Sequence, residues 1–261
     1  MEIKRVLAVL FIKEGLIVRS QNFSRHQFIG NVIEQAKRLN DYNVDELVYI
    51  DISRGDNYDL NRDDLLVKSK NDILSIINDI SKVCFMPLTF GGKIRTVNDA
   101  VKRIRAGADK ITLNTLLFKD KDEVKKIVKN LGTQAVVASV DYKLIDKKPI
   151  VFSNFGRENS NIFLLDFLKK LEDLGVGEIF LQNIELDGKQ KGYDLEIIKK
   201  SVNSISIPLV ACSGAGNAQH FIDVLKIDNL SGAAAGNIFN YTERSYPRIK
   251  TEIKKVISDV R

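Results

Sequence analysis

Eight short apolar runs recur along the chain, each separated from the next by a segment with helical periodicity. They are RVLAVLFI (5–12), ELVYIDI (46–52), MPLTF (86–90), KITLN (110–114), AVVASVD (135–141), EIFLQNI (178–184), PLVACSG (208–214) and GAAAGN (232–237). Near-continuous apolarity over so few residues marks a parallel strand buried on both faces. Between them, 71–83 places Ile73, Ile76, Ile77 and Ile80 on one helical face, with Asn71 as the expected N-cap. Segment 120–132 starts acidic, ends basic and stops at Gly132, and 162–175 and 194–205 repeat the scheme. Eight such units in 261 residues predict a single α/β domain over 1–261, a (βα)8 TIM barrel. A doubly wound sheet is the weaker reading, because no G-x-G-x-x-G follows the first run.

The two halves of the chain resemble each other. MPLTFGGKIRTVNDAV with GADKITLNTLLF recurs as IPLVACSGAGNAQHFI with LSGAAAGNIF, which suggests a duplicated half-barrel. One long polar connection, 53–70, follows the second run, either as a functional loop or as a solvated insertion.

Charge excludes some partners and suggests others. The net charge is +6, but Lys and Arg alternate with Asp and Glu, and no basic block reaches interaction-tail length. No nucleic-acid partner is expected, while an anionic, phosphorylated small-molecule ligand suits a mildly positive protein. Cys84 and Cys212 form no C-x-x-C and read as reduced thiols. His26 and His220, the only histidines, leave little for a metal site or a Ser-His-Asp triad, so no metal and no cofactor are expected. The first apolar run is cut by Lys13 and Glu14, so neither a signal peptide nor a membrane segment is expected, and the chain reads as cytoplasmic.

In a barrel, chemistry sits where strands end. Glycine turns follow the third and seventh runs (FGGK, 90–93, and CSGAG, 212–216), and Asn114-Thr115 and Gly236-Asn237 close the fourth and eighth. Such turns bring backbone N–H groups close to an anion, and two of them on opposite sides of a mouth suit a ligand with a phosphate at each end. Asp141 ends the fifth run and is a candidate general acid or base; Asp51 ends the second and reads as a loop cap; Asp187-Gly188 follows the sixth. Phe11 ends the first run, where a catalytic side chain is common. Arg5, Glu46, Lys110 and Glu178 stand at the opposite strand ends, and by position alone they read as separate solvated rim charges.

The segments KRVLAVLFIKEGLIVRSQNF, VDELVYIDI, PLTFGGKI, GADKITLNT, GTQAVVASVD, GEIFLQNIELDGKQKGYD and SGAGNAQHF, in this order, resemble the cyclase subunit of imidazole glycerol phosphate synthase. That resemblance implies a barrel paired with a class I glutaminase subunit, whose ammonia enters at the bottom and reacts at the top. The substrate there is a bisphosphorylated ribulosyl aminoimidazole carboxamide, and the products are imidazole glycerol phosphate and an aminoimidazole carboxamide ribotide. It further implies an ammonia gate at Arg5, Glu46, Lys110 and Glu178, a glutaminase contact at Asp109 and a catalytic Asp141. Phosphate-binding positions fall on Gly92, Asn114, Thr115, Asp187, Gly188 and Gly214, and on Gly236 and Asn237, where the family has Ala-Ser.

The departures lie at the top. Phe11 replaces the second catalytic Asp, Arg19 stands for a Lys, Lys93 for a third glycine, and Gln182-Asn183 for Thr-Ser. Loss of one acid–base group costs roughly 10²- to 10⁴-fold in rate. This split resembles a branch of the family associated with nucleotide-sugar and surface-polysaccharide biosynthesis, which implies delivery of ammonia to a sugar amidotransferase. The alternative is an authentic cyclase in which Asp51 or Lys93 replaces the missing base. A third reading is a scaffold that activates the glutaminase without conducting ammonia.

Overall fold

The computed structural model describes residues 3–55, 58, 70, 72–240 and 242–261. Its strands are β1 (Arg5–Lys13), β2 (Leu16–Gln21), β3 (Arg25–Asn31), β4 (Glu46–Asp51), β5 (Leu88–Gly91), β6 (Lys110–Leu113), β7 (Val136–Ile145), β8 (Lys148–Ser153), β9 (Glu158–Phe163), β10 (Glu178–Asn183), β11 (Leu209–Cys212) and β12 (Gly232–Ala235). The helices are α1 (Val32–Asp41), α2 (Ile73–Ser81), α3 (Val97–Arg105), α4 (Leu116–Lys119), α5 (Lys121–Leu131), α6 (Leu164–Asp173), α7 (Leu195–Val202), α8 (Ala218–Leu225) and α9 (Ser245–Lys254).

Eight parallel strands close on themselves in the order β10-β11-β12-β1-β4-β5-β6-β7, and β7 pairs back with β10. All eight predicted runs supply one strand each. Helices fill the spaces between strands, so the architecture is the (βα)8 barrel. The half-repeat is visible in the element order, since Pro87, β5, α3 and β6 match Pro208, β11, α8 and β12.

Two further pieces extend the top of the barrel. β2 and β3 form an antiparallel hairpin directly after β1, and β8 and β9 extend β7 outward as an antiparallel apron. Residues 162–163, read in the sequence as the start of a helix, instead end β9.

Local chemistry sets the helix ends. Thr96 and Asp99 form a reciprocal capping box on α3, and Asp120 and Asn217 cap α5 and α8 through side-chain oxygens; each such cap contributes about 1 kcal/mol. The cap of α2 is Asp72, whose carboxylate accepts from Ser75 N at 2.9 Å. Asn71 and the interior of the 53–70 connection lie outside the described residues. The predicted stripe Ile73, Ile76, Ile77 and Ile80 is buried in the layer between helices and strands, each side chain contributing roughly 1.5–3 kcal/mol.

Side chains alternate across the barrel wall with period two. On β1, Leu7 and Val9 face a separate inner cluster with Val48, Val137, Phe180, Val210, Cys212 and Ala234, and Phe11 and Ile50 pack on it. Val6, Ala8, Leu10 and Ile12 face the helices. Odd positions of β1 therefore line the lumen, from Arg5 at the bottom to Phe11 at the top, a span of roughly 20 Å at the usual strand rise.

Candidate functional site

At the bottom, the four charges of β1, β4, β6 and β10 form a closed ring. Glu46 accepts from Arg5 Nη1 at 2.5 Å, from Lys110 Nζ at 3.2 Å and from Thr89 Oγ1 at 2.9 Å. Glu178 accepts from Arg5 Nη2 and, at 2.9 Å, from Lys110 Nζ. Both carboxylates are buried. Burial alone would lower the pKa of the Arg5 guanidinium, but the facing charges of Glu178 and Glu46 outweigh it and raise the net value. The four are thus bound to each other, not separate solvated charges. Asp109, one residue before Lys110, is exposed, and its carboxylate accepts from Leu88 N at 2.8 Å. On the same face Phe85 is 86% exposed and Ile3 60%. A wide hollow of about 800 Å³ lies there too, between Lys4, Pro208, Asp228 and Asp259, at the opposite end from Asp141.

Directly above the ring is a cavity of about 10 Å³, bounded below by Glu46 and Glu178 and walled by Leu7, Val48, Phe180 and Val210. That is about the room one water-sized molecule needs. Thr112 borders it, and its buried hydroxyl meets no partner among the described residues. The sequence reading passed over Thr89 and Thr112. The signal was present, since Thr112 lies two residues past Lys110 and so shares its face.

At the top, Asp141 on β7 and Phe11 on β1 face the lumen from opposite sides of the eight-strand ring. Asn114 Nδ2 donates to Asp141 Oδ2 and to Ser139 O, both at 3.0 Å. Burial pushes the Asp141 carboxyl up to about 7; the Asn114 hydrogen bond works against this, and the charge of Asp187 adds to it. Gln182 stands beside Asp141 in the β7–β10 register, whereas Asn183 points outward and caps the following turn through Glu185 N and Leu186 N.

Asp51 lies on the outer face of β4, because Glu46, Val48 and Ile50 take the inner one. Its carboxylate accepts from Ser53 N (2.9 Å), Ser53 Oγ (2.6 Å) and Tyr58 Oη (3.0 Å), and pairs with Lys93 Nζ at 3.0 Å. Lys93 also donates to Gly55 O. The two proposed replacement bases are therefore spent on each other, outside the lumen. Gly92, at φ +97°, and Gly214, at φ +88°, press against the carbonyls of Asp51 and Gly192, where a Cβ would clash at 2.2 and 2.0 Å. Thr115 starts the α4 turn with no side-chain cap bond, and Gly236 lies against Val9 O. Arg19 donates to Gln27 Oε1 across the hairpin, 2.8 Å from Nε.

Asp187, Gly188 and Asn237 meet the β2–β3 hairpin. Asp187 Oδ2 accepts from Ser20 Oγ at 2.8 Å and from Phe23 N at 3.2 Å, and burial raises its pKa against those bonds. Ser20 and Phe23 were also missed in the sequence, where the polar hairpin gives no periodic signal. Cys212 lines the lumen as a buried free thiol, and His220 Nδ1 accepts from Gly216 N at 3.0 Å. Among the described residues, no cluster of His, Cys, Asp and Glu could hold a metal ion, and no helix is long and apolar enough to cross a membrane.

The family model described as "Histidine biosynthesis protein" matches residues 5–245, which takes in both the charged ring and the mouth. The chain belongs to the HisF family. It is 35% identical over 240 residues to the imidazole glycerol phosphate synthase subunit HisF of Saccharolobus solfataricus, covering 92% of this chain and 91% of that protein. The HisF subunit of Sulfurisphaera tokodaii is 33% identical over 250 residues, with 96% and 95% covered, and that of Bacillus cereus 31% over 259, with 99% and 98%. Each of these matches spans nearly the whole of this HisF homologue.

Proposed function

We propose that this HisF homologue is the barrel subunit of a glutamine amidotransferase that receives ammonia from a separate class I glutaminase and passes it to a sugar amidotransferase. The observation that carries the reading is the contrast within β1: Arg5 completes the closed ring, while Phe11 faces Asp141 where a second acid–base group would stand. The glutaminase would dock on the bottom face, where Asp109, Ile3 and Phe85 are exposed.

The physics suits ammonia. The ring carries two charges of each sign and no net charge, but the inner cluster above it gives an ion no solvation, a cost of several kcal/mol. Neutral ammonia escapes that penalty. It fits the space above the ring, where Thr112 offers a hydrogen bond. The ring must open for entry, which ties conduction to docking. At the far end Asp141, with its pKa near 7, exchanges protons readily at neutral pH. The Gly92 and Thr115 side of the mouth remains the proposed position for a phosphate group of a ligand, while both Nδ2 hydrogens of Asn114 are taken by Asp141 and Ser139.

The test is a three-component reaction with glutamine carrying heavy nitrogen in its amide and unlabelled ammonium in excess. We expect the label in the aminated sugar. Label diluted to the level of bulk ammonium would sink the conduit.

The second reading is an authentic cyclase of histidine biosynthesis. The specific observation in its favour is the tuned Asp141–Asn114 pair, since a carboxyl titrating near 7 is suited to acid–base catalysis. It requires one carboxyl to do the work of two, because Asp51 and Lys93 are sealed away. Formation of imidazole glycerol phosphate separates the readings.

A further inference from the structure

The polar groups on the β10–β12 side of the mouth hold the β2–β3 hairpin. The side-chain amide of Asn237 grips the main chain of Ser20 from both directions: Ser20 N donates to Oδ1 at 3.3 Å, and Nδ2 donates to Ser20 O at 2.6 Å. This is the paired exchange that a neighbouring strand would make, supplied by one side chain. Asp187 adds to it, since its carbonyl accepts from Asn22 N at 3.2 Å while its carboxylate takes Ser20 Oγ and Phe23 N. Gly188 lies flat beneath; a Cβ there would stand 2.8 Å from Ser20 O and 3.1 Å from Gln21 Cα. The hairpin is fixed on its apolar side too. Phe23 meets Phe11 edge to face, with ring centres 6.3 Å apart, and packs on Ile150, Phe152 and Ile184.

We propose that Asn237 is a specificity determinant: it fixes the β2–β3 hairpin as a standing cover that fills this half of the mouth and excludes a phosphate group from it. The side-chain and hairpin donors of this contact already have acceptors of the protein's own. Asn237 Nδ2 is taken by Ser20 O, and the amides of Asn22 and Phe23 are taken by Asp187. The contact also brings the Asp187 carboxylate and the Ser20 carbonyl, both of which repel an anion, into this half of the mouth. A ligand phosphorylated at both ends therefore has at most one end to bind. The inference rests on the proposed function only for what the covered mouth passes onward, and its test needs neither glutaminase nor acceptor.

Hydrogen exchange on the full chain reads the cover directly, with inorganic phosphate and inorganic pyrophosphate as probes. In the wild type we expect the Ser20 and Phe23 amides to exchange slowly without any anion and to be unmoved by either probe. In Asn237→Ser, too short to span both Ser20 groups, they should exchange about 5- to 30-fold faster, the factor set by one or two hydrogen bonds, and pyrophosphate should slow them again. Asn237→Asp keeps the acceptor and sets a charge against Ser20 O, so it should exchange at least as fast as Asn237→Ser. Equal exchange in wild type and variants would overturn the role of Asn237. Wild-type amides that exchange fast and are slowed by pyrophosphate would overturn the cover itself, a result that stands whether or not a variant folds.

Discussion

Arg5 and Phe11 stand six residues apart on one face of one strand, and they close opposite ends of the lumen by opposite physics. At the bottom, four charges of alternating sign satisfy one another, with Thr89 as an added donor. At the top, the closure is an aromatic pair, an apolar cluster and a hydrogen-bonded hairpin, with one carboxyl opposite. An ion-pair ring opens when a docked partner offers competing charges, and it reforms without remodelling the backbone. The top closure rests on aromatic and amide contacts, and its titratable member is the Asp187 carboxylate that accepts from Ser20 Oγ and Phe23 N. On the proposed reading, the bottom responds to a docking partner and the top stays shut against a large anion.

The largest effect we expect concerns the Asp141 carboxyl at the top. Asp141 has a folded pKa of about 7 against 3.8 for the free side chain. The folded state thus holds this proton more tightly than the unfolded state. Stability is fully present below about pH 4, falls as pH rises to about 7, and is level above that, a loss of roughly 4 kcal/mol. Asp187, also raised, adds in the same direction. Denaturant unfolding of Asp141→Asn across this range should show most of the slope gone; an unchanged slope would mean that the carboxyl is ionised in the folded mouth.

The next concerns the ring. Lys110→Ala leaves Glu46 and Glu178 sharing one cation. Because Arg5 still touches both, and Lys110 is 22% exposed, the cost should fall near the low end of a broken buried pair, about 2–3 kcal/mol by thermal unfolding. Assembly with the glutaminase should be unchanged while ammonia transfer changes. Unchanged transfer would favour the scaffold reading. The smallest effect lies between the two ends. Thr112→Val removes a buried hydroxyl without a partner, so it should be neutral or stabilising by up to about 1 kcal/mol and should slow transfer.

The barrel was legible because its strands are buried on both faces, and that leaves an unbroken apolar signal in runs such as LVYI and VVASV. The hairpin and apron were not. RHQFIGN and ENSNIF are polar and half-exposed, stabilised by pairing with a neighbour strand, not by their own burial. Strand parity was an unused signal. Counting by twos from Glu46 puts Asp51 on the outer face, and the same count joins Arg5 to Phe11 on the inner one. The ring needed more than position, because alternating charges at four strand starts look alike whether they face water or one another. No spacing pattern announces that Asn237 reaches Ser20, 217 residues away.

We propose that an intact entrance serves a mouth without its own cyclase chemistry. The direct measurement is turnover of the purified barrel with ammonia and the bisphosphorylated ribulosyl aminoimidazole carboxamide, in wild type and Phe11→Asp. We expect wild-type formation of imidazole glycerol phosphate to lie roughly 10²- to 10⁴-fold below that of a HisF subunit with both carboxyls, and Phe11→Asp to gain activity. Wild-type turnover near that of such a subunit, lost in Phe11→Asp, would contradict it.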